Sequence, residues 1–82
     1  MFLAAQVSIY PLRQPKLSPA IDKALDTFRS HGLDVTPGAM SSLVSGEDEA
    51  LFSAIKEAFQ QTAEEGEIVM TLILSNACPV SR

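Results

Sequence analysis

The sequence contains few of the residue types that usually carry chemistry. Its 82 residues include one histidine, one cysteine and no tryptophan, and only six are lysine or arginine. One cysteine cannot form an internal disulfide, and one histidine with one cysteine in separate segments cannot form a structural zinc site. Ten acidic residues give a net charge of −4, so the chain lacks the basic surface that binds nucleic acid. We therefore expect no catalytic residues of the familiar kinds, no metal, no cofactor and no nucleic-acid partner.

Membrane and export signals are also lacking. The longest apolar run, residues 68–74, is far too short to span a bilayer. The first residues carry no positive charge and no adequate apolar segment, so they do not resemble a signal peptide. A single cysteine fits a reducing compartment. Together these features predict a soluble, cytoplasmic protein that does not contact a membrane.

The apolar content is high for a chain of this length. Hydrophobic residues make up 46% of the sequence and charged residues only 20%. A single domain over residues 1–82 buries only about 60–65% of its unfolded surface. We interpret the surplus as the interface of a homo-oligomer, a dimer or tetramer. A well-filled core with scattered exposed apolar residues is the open alternative.

The pattern of turns and periodicities predicts six elements in the order β-α-β-β-α-β. Ser18 and Pro19 favour the start of a helix, and Gly32 favours its end. Glycines at 46 and 66 are expected to end the third strand and the second helix. The predicted strands span residues 2–10, 33–36, 39–45 and 67–75, and the predicted helices span residues 18–31 and 47–65.

This order favours an α+β, ferredoxin-like βαββαβ sandwich: a four-stranded antiparallel sheet with two helices on one face. The right-handed crossover rule places the first and third strands in the centre. One sheet face then lies open, and it must meet water, a ligand or a second subunit.

Alternation along the strands predicts which side chains reach the open face. In the first strand the aliphatic residues turn towards the helices, which leaves Gln6, Ser8 and Tyr10 outside. In the last strand the outward set is Val69, Thr71, Ile73 and Ser75. In the third strand we expect Met40, Ser42 and Val44 to face outward, although a slip of one residue would reverse that assignment.

The predicted open face mixes apolar side chains with hydroxyls. Two such sheets, stacked face to face, would bury the apolar part and enclose the hydroxyls. A pocket of that kind suits a small heteroaromatic molecule, with apolar walls for the ring and hydroxyls for its nitrogens. Plain sheet-on-sheet packing, with the hydroxyls bonded to each other or to water, is the open alternative.

Several short motifs, spread over nearly the whole chain, resemble those of the thiamine-binding, YkoF-like family. They are Ser8-Ile9-Tyr10-Pro11-Leu12, Gly32-Leu33, Gly38-Ala39-Met40-Ser41-Ser42 and Gly46-Glu47. The resemblance implies a ferredoxin-like fold, sheet-to-sheet oligomers, and binding of thiamine or its hydroxymethylpyrimidine part without catalysis.

Individual residues of this chain match positions in the family's motifs. Ser8 and Tyr10 occupy the family's motif in the first strand, Met40 matches the methionine after the glycine-containing turn, and Ser42 stands where threonine is common. Three positions depart from the family pattern: Ser45 replaces a frequent acidic residue, and Ile73 and Ser75 replace a frequent lysine and aspartate. The loss of these charges is expected to alter ligand choice or to favour a structural role.

The leading hypothesis is a non-enzymatic protein that holds thiamine or hydroxymethylpyrimidine at the open face, near a subunit interface. Tyr10 and Met40 would form the walls, and Ser8, Ser42 and Thr71 would supply hydrogen bonds. The alternative is a structural or regulatory oligomerisation domain without a small ligand. A small enzyme is a third possibility, but the predicted open face offers no acid–base pair.

Overall fold

The structure of the chain, a computed structural model, describes residues 1–13 and 18–77. Its elements follow the predicted order. They are β1 (Phe2–Pro11), α1 (Ser18–Ser30), β2 (Asp34–Pro37), β3 (Ser42–Glu47), α2 (Asp48–Ala63) and β4 (Ile68–Ser75). The predicted α+β, ferredoxin-like fold is confirmed.

The four strands form one antiparallel sheet in the order β2-β3-β1-β4. The predicted central position of β1 and β3 is therefore confirmed. Residues directly opposite each other in an antiparallel pair share a face of the sheet. Val7 lies opposite Ser42 on β3 and Leu72 on β4, so these three define the side under the helices, which we call the helix face. The opposite side is the open face.

The predicted register of β3 was wrong by one residue, so the two faces of this strand were exchanged. Ala5 pairs with Val44 and Val7 pairs with Ser42, so Ser42 and Val44 lie on the helix face. Val44 is fully buried in the core. Met40 precedes the strand and is 88% exposed. Hydroxyls and apolar groups occupy both faces of this segment, so its own pattern cannot set the register, and pairing with β1 decides it.

Gly46 lies within β3 and does not end it, contrary to the prediction. The side chain of Leu33, which is buried, packs directly over the Gly46 α-carbon, and a β-carbon at this position would collide with Leu33 Cδ2. Glycine is therefore favoured by close packing at this point, since any larger residue would displace the Leu33 side chain. The strand ends one residue later, at Glu47, and α2 begins at Asp48.

Helix α1 ends as the sequence predicts, at a glycine in the left-handed conformation. Gly32 has φ of 79°. Its amide donates to the Arg29 carbonyl, and the Leu33 amide donates to the Phe28 carbonyl. These two bonds form a Schellman motif, which satisfies carbonyls that the helix end leaves unpaired. The turn then directs Leu33 into the core beside Gly46.

Both helices pack on the sheet through the stripes that their spacing predicts. Phe28 on α1 and Leu51 on α2 are fully buried. Two residues assigned to the α2 stripe, Phe52 and Phe59, are instead 50% and 42% exposed, because they lie at its margin. None of the helices in the described part of the chain is long and apolar enough to cross a membrane.

Candidate functional site

The predicted faces of β1 and β4 are confirmed. Ser8 pairs with Thr71 and Tyr10 pairs with Val69, so all four lie on the open face. Tyr10 is 49% exposed. The open face carries polar and apolar side chains side by side, as the alternation along both strands predicts.

A cavity of about 90 Å³ lies where β3 separates from β1. The register of β1 with β3 stops at Val7 and Ser42. Beyond this point residues 38–41, which we call the rim loop, cross beside the C-terminal half of β1. The space that this divergence opens is bounded by the strand, by α1 and by the rim loop.

The walls of the cavity are apolar, and their spacing follows from secondary structure. Val7 and Ile9 are two residues apart on β1 and therefore share the helix face. Ile21, Leu25 and Phe28 are separated by four and three residues on α1, so one helical stripe presents them to the cavity. Sequence reasoning assigned this stripe to the core alone.

The rim of the cavity is polar. The Ser8 hydroxyl donates a hydrogen bond to the backbone carbonyl of Met40 over 3.3 Å. The Gln6 amide donates to the Ser41 hydroxyl over 2.9 Å. Both bonds tie the rim loop to β1. Ser42, at the end of the loop, is largely buried in the cavity wall.

The structure brings three of the five predicted site residues together. Ser8, Met40 and Ser42 line the cavity. Tyr10 and Thr71 do not line it, and they lie on the open face. The cavity lies at the gap between β1 and β3, and binding of a ligand at the open face stays a prediction. Whether any of the five binds a ligand stays a prediction.

The rim loop was missed because it was predicted to be part of a strand. Residues 39–41 lie outside β3, and only the Pro37-Gly38 turn signal marks the place in the sequence. The bond from Gln6 to Ser41 could not be predicted, since it joins residues 35 positions apart.

The groups that most often perform catalysis lie elsewhere in the described residues. His31 Nε2 is 3.0 Å from Glu57 Oε1, which links the two helices on the far side of the sheet from the open face. Within residues 1–13 and 18–77, no three histidine, cysteine, aspartate or glutamate side chains are grouped to hold a metal. Cys78 lies outside the described residues.

Fold and cavity together define a small ferredoxin-like domain with an apolar pocket where its two central strands separate. The sequence profile of the thiamine-binding protein family matches residues 5–75. The chain belongs to the thiamine-binding protein family, as the motifs around Ser8, Met40 and Gly46 indicate. None of the curated proteins compared with the chain is significantly similar to it in sequence.

Solved structures share the fold over almost the full chain. A hypothetical protein of Methanocaldococcus jannascii is 26% identical with a TM-score of 0.85, covering 98% of this chain and 84% of its own. A domain of unknown function from Bacillus cereus is 22% identical with a TM-score of 0.79, covering 99% and 83%. A Thermotoga maritima protein, named as a candidate for thiamine biosynthesis or salvage, is 21% identical with a TM-score of 0.79, covering 90% and 82%.

The three departures from the family pattern cluster on the open face, away from the cavity. Ala4 pairs with Ser45 on β3 and with Ser75 on β4, so these three form one row across the sheet. Ile73 lies opposite Gln6 in the next row and is 66% exposed. All three residues therefore lie on the open face, and none of them lines the cavity.

Proposed function

We propose that this chain is a non-catalytic binding protein for thiamine or hydroxymethylpyrimidine, with the pyrimidine ring held in the cavity between β1, α1 and the rim loop. Membership of the thiamine-binding protein family supports a thiamine-related role. The observation that carries the proposal is an apolar cavity, open to solvent on one side, whose rim bears hydroxyl and backbone groups.

The size of the cavity favours one ring. Pockets for drug-sized ligands measure roughly 300–1,000 Å³. A dry apolar cavity of about 150 Å³ in another protein binds benzene. A cavity of about 90 Å³ that opens to solvent on one side suits a single partly enclosed ring. The two rings of thiamine cannot both enter, so the thiazolium would stay at the mouth.

The side chains that line the cavity would each contact a different part of the ligand. Ile9 and Ile21, which line the cavity and are only partly buried, would supply apolar contact for the faces of the ring. The hydroxyls of Ser8 and Ser42 can donate to ring nitrogens or accept from an exocyclic amine. Met40, at the rim, would cover the ring's outer edge with its polarisable thioether.

Absence of acid–base groups at this site supports a binding role. Every described residue that lines the cavity is uncharged, and none is a histidine or cysteine. Proton transfer at the ligand would need a titratable group within hydrogen-bond reach.

The proposal includes a homo-oligomer, a dimer or tetramer, built through the open face. Leu43, Val69 and Ile73 are 46%, 45% and 66% exposed on this face. Sheets that pack face to face bury such residues. Tyr10 and Thr71 would then lie at the interface.

The test is calorimetric titration of the wild-type protein with thiamine and with hydroxymethylpyrimidine, repeated with Ser42→Ala. We expect saturable binding of both ligands, weakened by roughly 5–10-fold in the variant through loss of one hydrogen bond. Ser53→Ala, on the exposed side of α2, is the matched control and should bind as the wild type does. No heat and no thermal shift at millimolar ligand would refute the proposal.

The alternative function is an oligomerisation domain without a small ligand. It is favoured by the breadth of exposed apolar surface on the open face, which any stacked dimer would cover. A stable oligomer whose melting temperature is unaffected by either compound would support it. Ligand binding to the same oligomer would exclude it.

A further inference from the structure

We infer that ligand binding in the cavity and subunit association through the open face strengthen each other. The inference rests on the proposed function and adds a means of regulating it. It depends on two hydrogen bonds that begin at side chains of the open face and end at the rim loop, which bounds the cavity. These contacts belong both to the proposed interface and to the proposed ligand site.

The donors of both bonds lie among the side chains that a second sheet would cover. Gln6 pairs with Leu43 on β3 and with Ile73 on β4, so these three form one row across the open face. Leu43 and Ile73 are 46% and 66% exposed. Ser8 lies in the next row, opposite Thr71. A second sheet stacked on this face would therefore cover both donors together with their apolar neighbours.

The acceptors of both bonds lie in the rim loop. Strands β2 and β3 pair as far as Pro37 and Ser42, so residues 38–41 form the loop of this hairpin and one wall of the cavity. The Gln6 amide donates to the Ser41 hydroxyl over 2.9 Å, and the Ser8 hydroxyl donates to the Met40 carbonyl. We call the loop closed when both bonds are formed. Loss of the bonds would let this wall move away from β1, and a ligand would lose its contacts on that side.

Water determines how firmly the loop is held closed in a single chain. Both bonds are exposed, so water can replace either partner at little cost. Under a second sheet, release of Ser41 would leave the Gln6 amide buried without a partner, which is costly. Association therefore favours the closed loop. A ligand that contacts the closed loop favours it too, and two binding events that stabilise the same state raise each other's affinity.

Sedimentation equilibrium of the wild-type protein, with and without saturating hydroxymethylpyrimidine, tests this coupling. We expect the ligand to lower the subunit dissociation constant by at least about 5-fold, the lower end of the usual coupling between two sites. Calorimetry in parallel measures whether the compound binds. Binding with an unchanged dissociation constant, or binding to a chain that stays monomeric, would overturn this inference and leave ligand binding intact. Absence of binding heat would refute both the inference and the proposed function.

A variant of Gln6 tests which contact carries the coupling. Gln6→Leu removes the amide and places an apolar side chain in the proposed interface, so the variant should still associate. The ligand should change its subunit dissociation constant by about 2-fold or less, because the interface no longer distinguishes the closed loop from the open one. Gln60→Leu, the same substitution at an exposed position of α2, should keep the wild-type factor. If Gln6→Leu also keeps that factor, the bond from Gln6 to Ser41 does not couple the two sites and the inference is wrong.

Discussion

The hydroxyl of Ser8 donates a hydrogen bond to the backbone carbonyl of Met40 over 3.3 Å and so ties the rim loop to β1. This contact joins a strand in the centre of the sheet to a loop that belongs to no strand. It fixes the mouth of the cavity at the point where β1 and β3 separate. A second bond, from Gln6 to Ser41, supports the same loop.

Loss of the hydrogen bond from Ser8 to Met40 is expected to release the rim loop from β1 without unfolding the protein. Ser8→Ala should lower the free energy of unfolding by about 1 kcal/mol or less, because one partly exposed hydrogen bond is lost. The affinity for hydroxymethylpyrimidine should fall by roughly 3–10-fold, since both the rim and a ligand partner change. Urea denaturation and calorimetry measure the two effects. Wild-type affinity in Ser8→Ala, with Ser53→Ala as control, would show that the rim contact is irrelevant to binding.

The register of β3 predicts opposite responses at two neighbouring positions. Val44 is fully buried on the helix face, whereas Leu43 is 46% exposed on the open face. Val44→Ala should reduce the free energy of unfolding by about 2 kcal/mol, and Leu43→Ala by less than about 1 kcal/mol. Both variants are compared at a protein concentration low enough to dissociate the subunits, so that the interface contacts proposed for Leu43 do not contribute to the difference. A larger loss in Leu43→Ala would favour the reversed register.

These strands show which parts of the fold the sequence can predict. In β1, aliphatic residues at 3, 5, 7 and 9 alternate with the small Ala4 and with polar residues from Gln6 onward, so one register buries all four. The segment Ser41-Ser42-Leu43-Val44-Ser45 offers hydroxyls and apolar groups to both faces. Its burial is therefore decided by long-range pairing with β1, which the local pattern does not contain.

Close packing of Gly46 against Leu33 predicts that substitutions at the two positions have non-additive effects on the free energy of unfolding. Gly46→Ala alone should cost about 1–3 kcal/mol, because a β-carbon would collide with the leucine side chain. In Leu33→Ala the space opens, so adding Gly46→Ala should cost little more. A double-mutant cycle from urea denaturation should give a coupling energy of about 1 kcal/mol or more. Additive effects would contradict the packing described for this pair.

The cavity was harder to predict than the fold. Its walls use Ile21, Leu25 and Phe28, whose helical spacing indicates burial but does not say whether the space beside them is filled. The gap exists because β3 starts only at Ser42, so the preceding residues leave the sheet. Loop conformation of this kind depends on contacts such as Gln6 with Ser41, which no local motif encodes.

The ion pairs of the Met1 amino group predict that the stability of the protein depends on pH when this amine is free. It lies 3.1 Å from Glu47 Oε1 and 3.4 Å from Asp48 Oδ1. The hydrogen bond to Glu47, and then that to Asp48, raise the pKa of the amine above its ordinary value of 8.0. Since the folded pKa exceeds the unfolded one, the stabilisation is complete below pH 8.0 and is lost as the pH rises through the folded pKa.

Denaturation between pH 7 and pH 10 measures this effect by comparison with the double variant E47Q/D48N. The variant should lose less stability across this range than the wild type. Without the two carboxylates the pKa of its amine is not raised in the folded state, so deprotonation of the amine does not favour unfolding. Glu64→Gln, at the other end of α2, is a control that should follow the wild type. Parallel curves for the wild type and the double variant would rule out the predicted linkage.

The open face predicts how the chain associates. Ile73 is 66% exposed in the single chain, and a stacked sheet would bury it against a second copy. Ile73→Glu would place a carboxylate in that interface, where the cost of an unpaired buried charge amounts to several kcal/mol. We expect the wild type to elute as a dimer or tetramer in size-exclusion chromatography with light scattering, and Ile73→Glu to elute as a folded monomer. Phe52→Ser, which changes an exposed apolar residue on α2, should retain the wild-type mass. If Phe52→Ser dissociates the oligomer while Ile73→Glu does not, the subunits associate through the helical layer and not through the sheet.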